Sequence, residues 1–486
     1  MLEARWSRLG ALVGALGFLL ATASMAGAVT VAPPTQVSSL SPFPTCPAPG
    51  GGTNYPNSEI EPSVAVNPAN TSNIVGAFQQ DRWSGGGAHG LVSGYSLDGG
   101  TSWSESTAAF SACEGGAYDI ASDPWVSIGP DGKAYWVGLV ASADEVTSGI
   151  QASTSTDGGQ TWGSPATITS ETTPVHFNDK ESVTADPYHP GVAYVVWDRS
   201  GFPSDSASLN ALSHSFAFRG APYFSKTTDG GATWSAPRQI GPNQNIFTIG
   251  NQIAVEPDGT LIDIFHFGKG SGLDAPNASF TGVLRSTDGG ARWSSPIVVS
   301  TNPVANDADP DNGVPMRTGA DVGGGIPDIA VDPSSGKLYA VWEDSRFSGG
   351  DHNDIALSTS TDEGRSWSTP VKVNQTPVPV EAFTPMVDAL PNGDVGVTYY
   401  DIRYNTPAPG LPTDYWIVTS TDGGSTWTES RLTPTSFDDT LAPDSRGYFL
   451  GDYMGLANDG TSFRPYFVQT NSVLDPTDVW ATTVTP

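Results

Sequence analysis

An eight-residue turn recurs six times in this chain and restricts what it can fold into. Ser155-Thr156-Asp157-Gly158-Gly159-Gln160-Thr161-Trp162 has near-copies at Ser96–Trp103, Thr227–Trp234, Ser286–Trp293, Ser360–Trp367 and Ser420–Trp427. The aspartates Asp98, Asp157, Asp229, Asp288, Asp362 and Asp422 are separated by 59, 72, 59, 74 and 60 residues. Repetition at such a period predicts an array of like units, each burying a face against its neighbour. Asp followed by Gly is turn chemistry: the carboxylate accepts bonds from nearby backbone N–H groups, and Gly supplies positive φ. The flanking Ser or Thr adds a second local bond, and the Trp offers a large apolar face. β-type segments on both sides make each copy the hairpin between the third and fourth strands of a unit. Six equivalent sites spread around an array cannot converge on one substrate, so these aspartates are expected to be structural.

The pattern Ser-x-Asp-x-Gly-x-Thr-Trp resembles the Asp-box, or bacterial neuraminidase repeat, of sialidases and related propeller glycosidases. Arg292 replaces the Thr in one copy, and Glu363 takes the variable fourth position in another. The resemblance covers the chain from about residue 59 to its end. It implies an all-β propeller and an exo-α-sialidase-like glycoside hydrolase that removes a terminal sugar from glycans. The early Arg-Ile-Pro of that family is absent, and Arg82-Trp83-Ser84 stands in the first unit instead. The box also occurs in propellers with other activities. A non-catalytic propeller that binds glycan or protein is the alternative.

A second repeat lies between the boxes. Short polar runs enter apolar strands at Glu61-Pro-Ser-Val, Asp123-Pro-Trp-Val, Glu181-Ser-Val, Asn251-Gln-Ile, Pro327-Asp-Ile, Thr384-Pro-Met-Val and Gly451-Asp-Tyr-Met. Most continue through a turn such as Pro130-Asp-Gly into a second strand. Seven openings against six boxes predict one seven-bladed propeller over 58–486, with six blades and an irregular cap as the alternative. The last unit is short of strands. Residues 29–57, rich in Pro, Ser and Thr, are expected to form an irregular leader that lends it a closing strand, because a ring must hide its edges.

Residues 1–28 read as a signal peptide: Arg5 and Arg8, an apolar run from Leu9 to Leu20, then Ala26-Gly27-Ala28 for cleavage. The expected product is secreted, monomeric and without a membrane span. Its charge would be about −31, from −30 for the full chain, which excludes nucleic acid as a natural partner and leaves carbohydrate. The two cysteines, Cys46 and Cys113, are expected to pair outside the cell. No Cys/His spacing suits zinc, and no cofactor is expected. Asp307-Ala-Asp309-Pro-Asp311-Asn-Gly313 alternates acids as calcium loops do, although its glycine comes one place late; a structural calcium there is the one metal considered.

Strand alternation puts the openings and the loops after each second strand on one face, opposite the boxes. That face collects arginines able to clamp a substrate and carboxylates able to move protons. The resemblance to sialidases implies an arginine clamp, a tyrosine nucleophile and an aspartate acid–base. The residues of matching type are Arg82, Arg199, Arg346 and Arg403 for the clamp, with Trp83 and Lys180 as further contacts. Tyr400 and Tyr453 are the nucleophile candidates. Asp123, Asp179, Glu181, Asp401 and Asp452 are the acid–base candidates.

Overall fold

The structure is a computed structural model that describes residues 28–47, 49–201, 219–241, 246–269, 279–305, 307–316 and 325–486. The expected signal peptide lies outside them, except for Ala28. The described chain is all-β, and its helical segments are three single 3-10 turns, at Ala112–Glu114, Ser345–Phe347 and Asp439–Leu441. No helix among the described residues is long and apolar enough to cross a membrane.

The strands form a succession of antiparallel meanders. The first unit runs Glu59–Val66, Ile74–Arg82, Ala88–Ser96 and Ser104–Thr107. The second is Ile120–Ile128, Ala134–Ala141, Ser148–Ser155 and Ala166–Glu171. The third is His176–Ala185, Ala193–Gly201, Arg219–Thr227 and Arg238–Gln239. The fourth is Ile246–Val255, Leu261–Lys269, Ser279–Ser286 and Ile297–Thr301. The fifth is Asp328–Val331, Leu338–Asp344, Asp354–Ser360 and Val371–Lys372. The sixth is Ala382–Ala389, Val395–Asp401, Pro412–Ser420 and Thr428–Arg431. The seventh is Gly455–Asn458, Phe463–Ser472 and Asp475–Ala481, and its outer neighbour is Thr35–Gln36 from the leader. Thr30–Val31 pairs in turn with Val484–Thr485. The opening strand of each unit packs beside that of the next, and Gly455–Asn458 lies beside Glu59–Val66.

Apolar clusters fill the spaces between units. Trp136 meets Leu91 and Ala77 between the first and second, and Tyr339, Leu357 and Val397 join the fifth and sixth. Truncating a buried aromatic such as Trp136 to Ala costs about 3–5 kcal/mol. A disulfide joins Cys46 to Cys113 with a Cα–Cα distance of 5.6 Å, tying the leader to the connection between the first two units.

The six turns share one bonding scheme. In the second unit, Asp157 accepts from the Thr161 amide (3.0 Å) and hydroxyl (2.5 Å), while Ser155 Oγ donates to Asp157 (2.7 Å) and accepts from the Gly159 amide (3.0 Å). Asp98, Asp229, Asp362 and Asp422 repeat all four bonds; Asp288 lacks the hydroxyl because Arg292 supplies only its amide. These bonds favour the ionised form and hold Asp98, Asp229, Asp362 and Asp422 down to about 2. The residue after each aspartate also receives a side chain from the preceding unit at its carbonyl. Asn73 reaches Gly158, Lys133 reaches Gly230, Lys226 reaches Gly289, Arg285 reaches Glu363, and Lys337 reaches Gly423. Arg464 of the seventh unit reaches Gly99 of the first.

Candidate active site

The opening strands carry a repeated distortion that builds the site. Register shifts in the first, second, third, fourth and sixth units fall at Ile60/Ser63, Ser122/Trp125, Asp179/Ser182, Ile249/Gln252 and Phe383/Met386. The first residue inside each bulge is left-handed: Glu61 (φ 50°), Asp123 (φ 52°), Lys180 (φ 48°), Gly250 (φ 73°) and Thr384 (φ 52°). Pro62, Pro124 and Pro385 follow three of them. Proline has no N–H to give the ladder and is tolerated at a bulge. Left-handed non-glycine residues cost of order 1–3 kcal/mol each and persist only where the surroundings impose them. A bulge re-aims its side chain, and here three charged ones are brought together.

Lys180 Nζ lies 2.8 Å from Glu61 Oε1, 3.4 Å from Asp123 Oδ1 and 2.8 Å from Asp452 Oδ2. Four units therefore contribute to one cluster. Glu61 also hydrogen-bonds Asp123, and Asp123 hydrogen-bonds Asp179. Gln79 donates to Glu61, and Arg82 donates to Gln79 Oε1 (2.8 Å) and Ser445 Oγ (3.2 Å) while its guanidinium lies over Phe449. Trp125 and Tyr453 pack 5.0 Å apart beneath, and the Tyr453 hydroxyl donates to the Pro124 carbonyl (3.1 Å).

The cluster separates its proton states. Burial raises the Asp123 carboxyl, but Lys180, the Glu61 hydrogen bond and Arg82 outweigh that and hold it well below the usual range. Burial and the Asp123 charge push Asp179 up to about 7. Burial pushes Glu61 well up against the pull of Lys180. Glu181 is buried with neither carboxyl oxygen on another side chain, and burial and then Asp123 raise it well above its ordinary value. Burial would lower Lys180, but Asp123, Asp452, Glu61 and Asp179 raise it. Two carboxyls in contact with such different affinities for a proton are the material of acid–base chemistry.

The other expected residues are placed elsewhere. Tyr400 is overturned as a nucleophile candidate: it is fully buried, stacked on Phe383 and tilted against Tyr415, with its hydroxyl donating to the Val468 carbonyl (2.7 Å). Its ring lies in the core, on the strand that ends at the equally buried Asp401. Asp401 itself pins a loop, accepting from Trp416 Nε1, Thr376 and Arg403. Tyr453 adjoins the cluster, but burial, then Glu61 and Asp123, raise its hydroxyl well above its ordinary value, so it is a poor nucleophile. Arg403 is held by Asp401 and Glu429 and lies 3.7 Å over Trp416. Arg346 is held by Asp344 and Ser300, and Arg199 by Glu171 and the Tyr223 ring. These arginines do not join Arg82 in one clamp, because each finds a carboxylate or amide near its own strand. Trp83 packs edge-on to His89 in the first unit.

Asp307, Asp309 and Asp311 do not converge either. Asp307 is buried against Asn353 and the Glu381 carboxyl, whereas Asp309 caps its own turn at the Asp311 amide. Sequence reasoning passed over Glu61 and Gln79. Glu61 was legible in principle, since it precedes Pro62 as Asp123 precedes Pro124.

No protein-family model matches the chain. A xyloglucanase of a Paenibacillus species is 28% identical over 237 residues, 48% of this chain; the match spans 20% of that protein's length. Among solved structures, a Hadza microbial sialidase aligns at 17% identity over 85% of this chain and 74% of its own, with a TM-score of 0.49. A Penicillium chrysogenum α-L-arabinanase complexed with arabinobiose aligns at 12% identity over 94% and 98%, with a TM-score of 0.46. The α-L-arabinofuranosidase of Fusarium graminearum aligns at 15% identity over 83% and 99%, with a TM-score of 0.45.

Proposed function

We propose that the chain is a secreted glycoside hydrolase on a seven-bladed propeller, acting on a neutral glycan at the cluster around Lys180. The observation that carries this reading is the contact between Asp179, which keeps its proton to about pH 7, and Asp123, which stays ionised. Glycoside hydrolysis needs a carboxylic acid to protonate the departing glycosidic oxygen and a carboxylate to stabilise or attack the cationic sugar. Asp179, partly exposed, takes the first role. Asp123, hydrogen-bonded to Asp179 and kept charged by Lys180, holds that proton in place; the second role needs a carboxylate about 5–10 Å away across the glycosidic bond.

An acidic sugar is disfavoured because Arg199, Arg346 and Arg403 are each engaged within their own loops. The similarity over part of the chain to a xyloglucanase fits a neutral polysaccharide. Seven units, with the opening strand of the last beside that of the first, support the blade count. The signal-peptide pattern of residues 1–28, with the Cys46–Cys113 disulfide, supports export.

Turnover of a panel of neutral and acidic fluorogenic glycosides tests the proposal. Wild type should cleave a neutral member. Asp179→Asn should lower kcat by about 10²–10⁴-fold and remove the alkaline limb of the pH profile near 7. Turnover confined to sialosides would sink the neutral-glycan reading. One feature favours the binding module instead: the Lys180 ammonium fills the space between Glu61 and Asp452. Glycan-array binding without turnover of any panel member would establish that reading.

A further inference from the structure

We propose that a hard divalent cation of the calcium class binds where the leader, the first unit and the seventh unit meet, held by Glu59, Asp475 and Asp478. One carboxylate oxygen from each lies within 4.8 Å of the others. Among the described residues, none of the three pairs with a lysine, arginine or histidine. Their recorded partners are neutral donors. Gln80 donates to Glu59, and Asn471 donates to Asp475 (2.9 Å) and Asp478 (3.0 Å). Gln36 and Ser38 of the leader donate to Asp478 at 2.6 and 3.2 Å.

The same locus holds buried oxygens without a hydrogen-bond partner, two of them, on Gln80 and Thr477, outside the three acids. Glu59 Oε2 and Gln80 Oε1 are both in this condition, and both side chains are fully buried. The Gln80 amide nitrogen is bonded to the Glu59 carboxylate, which keeps its unpartnered oxygen next to that carboxylate. Thr477 Oγ1, between Asp475 and Asp478 in sequence, is a third such atom, and a bridge from Ser58 to Thr477 brings its strand beside Glu59. A buried oxygen left without a partner carries its desolvation cost unrelieved. Carboxylates brought together without a cation cost more. A divalent ion removes both penalties at once. Carboxylate and amide oxygens suit calcium, which takes 6–8 oxygen ligands in flexible geometry. The site would fasten the leader and the seventh unit to the first unit.

Titration calorimetry with calcium chloride on the chelator-stripped full chain at pH 7 tests this. We expect one ion per chain, a saturable rise in Tm of several degrees, and affinity at least tenfold weaker in Asp475→Asn/Asp478→Asn. Glu59→Gln, nearly isosteric, should weaken binding similarly if the double variant does not fold. Wild type that takes up no calcium at about 1 mM would overturn the proposal. So would stoichiometric uptake unchanged in a folded variant, since the ion would then sit elsewhere.

Discussion

At the residue scale, Lys180 decides the state of the site. Its ammonium touches three carboxylates while its own side chain is only 10% exposed. Removing one member of a buried ionic group leaves uncompensated charge and costs about 3–5 kcal/mol. Lys180→Met should therefore lose about 3 kcal/mol at pH 7 by urea unfolding. The loss should shrink at pH 5, below the value of about 7 to which burial and Asp123 raise Asp179, because fewer of the neighbouring carboxyls are then charged. A loss that is the same at both pH values would mean the carboxylates do not depend on Lys180. Much of this cluster was legible: Asp123, Asp179, Lys180, Glu181 and Asp452 all follow from strand alternation and the repeated openings. Glu61 could be read only as the residue that opens the first unit before Pro62, and the left-handed bulge could not be read at all, because a bulge is a backbone event that hydrophobic patterning does not encode. The arginine assignments failed for a related reason. Arg346 and Arg403, two residues after Asp344 and Asp401, read the same whether they face a ligand or that neighbour, and the Glu171 that holds Arg199 is 28 residues away.

At the element scale, the repeated turn serves the seam between units as well as its own hairpin. Its position between third and fourth strands could be read from Asp-x-Gly spacing and the flanking β segments. The side chain that crosses from the preceding unit could not, since Lys133 and Gly230 are 97 residues apart. The crossing explains where many of the few basic residues go: Lys133, Lys226, Arg285, Lys337 and Arg464 all end on a turn carbonyl. Asp157 is exposed, so loss of its turn bonds is softened by water, and Asp157→Ala should cost about 1 kcal/mol. Lys133→Met breaks a bond between units, while Asp157→Ala breaks bonds within one. If the seam matters, hydrogen exchange in Lys133→Met should quicken on both sides of it, in Ala134–Ala141 and Arg219–Thr227 together. Exchange confined to one unit would assign the lysine no role in joining them. The disulfide acts at a longer range. Its loop of 67 residues predicts a loss of about 4 kcal/mol on replacing Cys46 and Cys113 by Ser, measured by denaturant unfolding.

At the scale of the whole molecule, acidity is the main variable. The chain carries −30 at neutral pH, and many of its carboxyls are internal. Two populations oppose each other. The turn aspartates bind protons less readily folded than unfolded, and those at about 2 lose their contribution only as pH falls from about 4 toward 2. The buried acids do the reverse. Burial raises Asp328 to about 7, Asp388 to about 6 and Glu114 to about 8, and burial with Asp123 raises Asp179 to about 7. These groups keep protons in the folded chain that the unfolded chain has released by about pH 5. The folded state therefore binds more protons through that interval, and its stability falls as pH rises through it. Self-repulsion of the net charge acts in the same direction but is screened over about 8 Å at physiological salt. Tm should accordingly peak near pH 4–5 and drop by several degrees by pH 8. Added salt at pH 8 should recover only the part due to surface repulsion, since buried groups are little screened. A Tm that is flat or rising between pH 5 and 8 would mean that the internal carboxyls are ionised and paired. Full recovery in salt would assign the whole effect to the surface.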